Sequence, residues 1–190
     1  MFNKISTWWY RDGRYMHKHF AKGVKNLWRW FPVIWKDRDW DQYYIYEILA
    51  KKLEFQAKYI GDTDLHTEAK RDAERMRLVV RLIRLHQEDF YDCEYMDYET
   101  TRHWFEPVED KPDYSEWKSE TLSDRYDEYF AKYPRQYKKV MSGELNRFKR
   151  KSVNLEDKHY IAMEIAYENR NRCHALLFKL MSENIDRWWN

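Results

Sequence analysis

The sequence predicts an all-α fold, a helical bundle built on two or more long helices. Three observations carry that expectation. Apolar residues recur at spacings of three and four along most of the 190-residue chain. Four Gly and four Pro are too few to turn a sandwich or barrel every ~10 residues. No run reads as a strand for more than a few residues. The length suits a single helical domain over residues 1–190.

The elements follow in chain order. A first helix is expected from roughly Tyr15 to Trp30, weakened at Gly23 and stopped at Pro32. A second spans Trp40 to Ile60, with Tyr44, Ile45, Ile48, Leu49, Leu53, Gln56 and Ile60 on one side. Asp39 or Asp41 caps its start, and Gly61 ends it as a C-cap residue does. A third runs from Thr63 or Asp64 to Phe90, facing inward through Ala69, Ala73, Met76, Val79, Val80, Ile83, His86 and Phe90. Residues 91–116, with Pro107 and Pro112, read as an acidic, aromatic connection that packs down rather than floats. Leu122 to Phe148 is again helical, with Pro134 kinking it or starting its second half and Gly143 ending a turn. The last helix, from Asn154 as N-cap to Trp188, carries no Gly or Pro and would be ~50 Å long.

Composition narrows the class. Ten Trp, 16 Tyr and nine Phe make 18% of the chain aromatic, which excludes a disordered tail. A net charge of +2 gives no overall electrostatic case for nucleic acid or a membrane surface. No stretch approaches the ~18 apolar residues of a spanning helix, and no apolar signal-peptide region follows Lys4. Cys93 and Cys173 read as free thiols of a reducing cytoplasm. The expectation is a soluble protein of the cytoplasm. Charge is nevertheless segregated: residues 1–36 carry +7, 88–113 carry −8 and 132–151 carry +7. The basic and acidic segments are ready partners for one another.

Standard catalytic motifs do not occur. Asp37, Asp39 and Asp41 match the start of a calcium loop, but Gln42 stands where glycine is required and Ile48 where the bidentate Glu belongs. The seven histidines form no HExxH pair, and no P-loop or dinucleotide glycine pattern exists. Carboxylate pairs such as Asp89/Asp92 and Glu183/Asp186 do not fall on adjacent helices in a di-metal order. No metal and no cofactor are implied.

Basic residues on apolar faces are the positive signal. Arg77, Arg81 and Arg84 follow helical spacing, as do Arg71 and Arg75, and an anion or acidic partner would relieve their repulsion. Arg170 holds an inward position beside Tyr167, Cys173 and His174, so it must be paired. Glu164 or Glu168 is one partner, and a ligand phosphate is the other. The candidate ligand set is Arg38, Trp40, Tyr44, Arg75, Arg81, Arg170 and His174. Its arginines would hold phosphates, and Trp40, Tyr44 and His174 would take a base or ribose.

At Trp35-Lys36-Asp37-Arg38-Asp39-Trp40-Asp41, with the long basic helix and the closing Ile185-Asp186-Arg187-Trp188-Trp189, the chain resembles a group of small phage-encoded proteins. The resemblance implies a phage product in the host bacterial cytoplasm, dispensable for the virion and active against host defence. The leading expectation is therefore a non-enzymatic, homo-oligomeric sponge that sequesters a small anionic nucleotide signal without cleaving it. A protein-interaction factor that inhibits a host defence protein through charged surfaces is the alternative. A metal-dependent nucleotide hydrolase using His86 or His174 is third, and nucleic acid and membrane are not expected partners.

Overall fold

The computed structural model describes residues 7, 9, 13–38, 40–64, 66–109, 111–146 and 157–189. Its elements are α1 (Met16–Ile34), α2 (Gln42–Thr63), α3 (Ala69–Gln87), α4 (Phe90–Cys93), β1 (Glu99–Val108), β2 (Lys111–Asp124), α5 (Tyr126–Lys132), α6 (Pro134–Met141) and α7 (Lys158–Asn184). The expected all-α bundle is thereby corrected. The protein is mostly helical, but an antiparallel two-stranded sheet occupies part of what reads in sequence as a connection and a helix start. The chain divides into two compact units, Met1–Lys52 and Leu53–Asn190.

In the first unit, α1 runs past Pro32 rather than stopping there. Proline in the last turn forfeits a single backbone bond, and the helix closes with Trp35 N–H on Phe31 O at 2.9 Å. At the start of α2, Asp41 is the cap residue, its Oδ1 accepting the Tyr43 N–H at 2.8 Å. Asp39 lies outside the described residues. Gly61 does not end α2, which continues to Thr63. A Cβ at Gly61 would stand 3.3 Å from Ala73 Cβ and 3.2 Å from Arg77 Nη2, so this glycine serves close approach of α2 to α3.

The second unit is organised along α7. Asp157 caps it, accepting the Tyr160 N–H at 3.0 Å, while Asn154 lies outside the described residues. Toward the C-terminal half of α7, Cys173 and Leu177 are buried beside α3, whose Ala69, Ala73, Met76, Val79 and Ile83 are wholly buried. The Cys173 thiol meets Leu82 O at 3.7 Å, and Gln56 Nε2 donates to Trp188 O at 2.8 Å. The N-terminal half carries a second cluster. There Ile161, Ala162, Ile165 and Ala166 pack with Tyr95, Tyr126, Tyr129, Phe130 and Val140. Pro134 begins α6 at its first position, splitting the expected single helix from α5, and Gly143 takes φ +77° just after α6. Phe148 falls outside the described residues.

The hairpin escaped the sequence reading for a physical reason. Strands announce themselves by apolar–polar alternation when one face is buried, and most of this ribbon is exposed on both faces. Its alternation is of charge instead. On β2, Glu116, Lys118 and Glu120 face one way and Trp117, Ser119 and Thr121 the other. The prolines are tolerated because both strands of a two-stranded ribbon are edges. At the base, Arg125 N–H bonds Tyr98 O at 2.6 Å and its guanidinium reaches Asp97 O at 3.0 Å. Among the described residues no helix is long and apolar enough to cross a membrane.

Candidate functional site

The inner face of the hairpin roofs a cleft of about 730 Å³. Glu99, Thr101 and His103 reach it from β1, and Trp117, Ser119 and Thr121 from β2. Pairing fixes this set, since Thr101 faces Thr121 and His103 faces Ser119, and directly opposed residues share a face. A register shift between Thr100 and Thr101 leaves Leu122 without an opposite residue. Tyr95 and Met96 of the 3-10 segment Glu94–Tyr98 and His159 of α7 complete the lining. The volume falls in the range of small-molecule sites, ~300–1,000 Å³.

Two groups give the cleft its chemistry. His103 and Trp117 stack with ring centroids 5.0 Å apart and planes 16° from parallel. They form a flat aromatic surface diagonally across the strands. The second group is Glu99, Tyr126 and His159. The Tyr126 hydroxyl donates to Glu99 Oε2 in a very close contact and stands 2.9 Å from His159 Nδ1, which is itself 3.2 Å from Glu99 Oε2. His159 Nδ1 therefore lies within hydrogen-bond reach of both the phenol and the carboxylate. Tyr95 meets the same imidazole edge-on at 5.5 Å.

Burial alone would raise the Glu99 pKa, but the hydrogen bonds from Tyr126 and His159 outweigh it and hold the carboxyl below its ordinary value. Burial, and then the Glu99 carboxylate, push the Tyr126 phenol far above its usual range. Tyr126 is thus a fixed donor and Glu99 a fixed anion at neutral pH. The cleft presents an ionised acceptor beside a flat ring platform.

On the outer face the charges close on one another. Arg102 is opposite Glu120, and Trp104 is opposite Lys118. Glu106 and Glu116 are like charges directly across the ribbon, bridged by Lys118 Nζ at 3.3 and 3.1 Å.

The seven residues named from sequence are not gathered in this cleft. Arg38, Trp40 and Tyr44 belong to the first unit, Arg38 and Trp40 exposed and Tyr44 half-buried against Tyr43 at 5.5 Å. Arg75 donates to Asn184 Oδ1 at 2.8 Å and lies 3.7 Å from the buried Asp72 carboxylate. Arg81 is exposed on α3. Arg170 pairs with Asp92 at 3.1 Å, where helical spacing suggests Glu164 or Glu168. His174 is exposed, its ring 5.4 Å from His86 and 4.7 Å from Phe178. Burial, followed by the neighbouring His174 and Arg170, lowers the His86 pKa. Arg170 and His174 are one turn apart. Arg75, bonded near residue 184, is ~21 Å farther along α7 than Arg170 at 1.5 Å per residue. Among the described residues no group of three or more His, Cys, Asp or Glu is arranged to hold a metal ion.

Glu99, His103, Trp117, Tyr126 and His159 were not singled out as a set by sequence. The charge alternation of 116–121 was the signal available for the strand. Nothing in spacing joins residue 99 to residues 126 and 159. Compared with protein-family models, curated proteins and solved structures, the chain matches none.

Proposed function

We propose that the chain is a binding protein that takes a small ring-bearing ligand of nucleoside type into the hairpin cleft and releases it unaltered. The observation that carries this reading is the stacked His103–Trp117 pair at 5.0 Å, set in a cleft whose fixed anion is Glu99. A flat heterocycle gains from the aromatic platform, and its N–H groups suit a carboxylate acceptor. Thr101, Ser119 and Thr121 supply hydroxyls that donate or accept toward a sugar.

Among the described residues the lining holds histidine but no Arg or Lys. In this reading recognition rests on the base, and a phosphate extends outward to solvent. The sponge-like role expected from sequence is kept as the working proposal, with its site moved from the arginines to the hairpin. The setting, a phage product acting on a host nucleotide signal, rests on the resemblance of the Trp35–Asp41 and Ile185–Trp189 motifs.

Thermal denaturation with a panel of nucleosides, cyclic nucleotides and ADP-ribose-type compounds tests the reading. A ligand at 100 times its Kd adds about 2.7 kcal/mol, and the bound compound should be recovered with its mass unchanged. Recovery of a cleaved compound would turn the assignment to a hydrolase. No shift for any member of the panel would remove the nucleoside reading and leave a protein partner as the target.

A further inference from the structure

Helix α1 carries a strongly polarised surface. Met16, Phe20, Val24, Leu27, Phe31 and Trp35 recur at helical spacing along one face. That face is exposed along its length, with Phe20 at 74%, Leu27 at 70% and Trp28 at 81% exposure. The opposite face holds Lys18, Lys22, Lys25 and Arg29, and Lys36 follows just beyond the helix. From Met16 to Lys36 there is no Asp or Glu. Trp28 and Trp35 fall at the border of the apolar stripe nearest the basic face, where an amphipathic ring meets both phases.

We propose that α1 is an interfacial helix that lies along the surface of an anionic lipid bilayer. Its apolar stripe would sink among the acyl chains and its lysines reach the headgroups. The helix spans ~28 Å at 1.5 Å per residue, and its apolar face is one stripe rather than a full cylinder. A spanning helix is apolar all round, and an interfacial one is split along its length in this way. The occupant is chosen by charge. A second copy docking through the same stripe would set two wholly basic helices side by side without a counter-charge, whereas paired helices ordinarily flank their seam with opposite charges. A layer of anionic headgroups supplies that counter-charge.

The test uses the full chain and vesicle flotation. Vesicles of phosphatidylcholine with about one third phosphatidylglycerol should carry the protein up the gradient, with binding about tenfold weaker on phosphatidylcholine alone. Salt at about 0.5 M should remove most of that difference by screening. Leu27→Glu and Trp28→Glu should each weaken flotation about tenfold or more, since each places a charge in the acyl region. Lys22→Ala with Lys25→Ala should weaken it on anionic vesicles alone. These positions are exposed, so circular dichroism should show unchanged helix content. Failure of the unaltered chain to float with anionic vesicles would overturn the proposal. So would a dimer in sedimentation that Leu27→Glu dissociates in the absence of lipid, because the stripe would then be a protein interface.

Discussion

The hairpin and helix α1 both expose aromatic rings, yet their charges are arranged in opposite ways. On the ribbon, Arg102 faces Glu120 and Lys118 bridges Glu106 and Glu116, so charges of both signs meet within the element. Glu99 is held by Tyr126 and His159 beneath the roof. On α1 no acid occurs at all, and the basic residues look outward together. A surface on which opposite charges meet across the strands presents shape and ring faces, which suits a small ligand. A surface of one sign with an apolar stripe beside it needs an extended partner of the other sign. Net charge of +2 conceals this difference, because it sums regions that act separately.

The largest expected effect separates both surfaces from the interior. Ile165→Ala removes a wholly buried side chain from the tyrosine-rich cluster on α7 and should cost ~2–5 kcal/mol in urea unfolding. Leu27→Glu, on an exposed face, should shift the same midpoint by no more than ~0.5 kcal/mol. A comparable loss in both would dissolve the distinction between interior and docking face.

Next comes Trp117→Ala. Loss of the stacking surface should weaken nucleoside affinity by ~1–3 kcal/mol, read by titration calorimetry, while vesicle flotation stays unchanged. Equal damage to both activities would mean that the two regions do not work independently.

The pH dependence of Glu99 sharpens the cleft half of the comparison. Its pKa in the folded chain is depressed below the ordinary value of 4.5. Its contribution to stability is therefore fully present above that value and is lost as pH falls through the lower folded value. Glu99→Gln should flatten the stability profile across that acidic window, read by thermal melts at successive pH values. An unchanged slope would show that Tyr126 and His159 do not hold the carboxylate in solution. The smallest effect belongs to Lys118→Ala, whose solvent-facing ion pairs should leave the melting midpoint unmoved.

Legibility in the sequence followed burial. Helix α7 was readable because Ala166, Cys173 and Leu177 sit on a face that packs, and packing writes a period of 3.6 into the chain. Pro134 and Gly143 acted near their expected places, since their backbone preferences are local. Gly61 misled because a missing side chain serves a cap and a close helix contact equally well. The hairpin was read as a connection because neither of its faces is buried along most of its length. In the same way Arg170 announced its need for a partner, while the choice of Asp92 depended on how α7 meets the region around α4.

By itself, then, the sequence determined the helical periods, the breaks at Pro134 and Gly143, and the segregation of charge along the chain. These are properties of neighbours within a turn or two. Tertiary structure decided that Glu99, Tyr126 and His159 meet, that His103 stacks on Trp117, and that Arg170 pairs with Asp92. Each of these joins side chains from separate elements, and spacing along a chain carries no information about which elements touch.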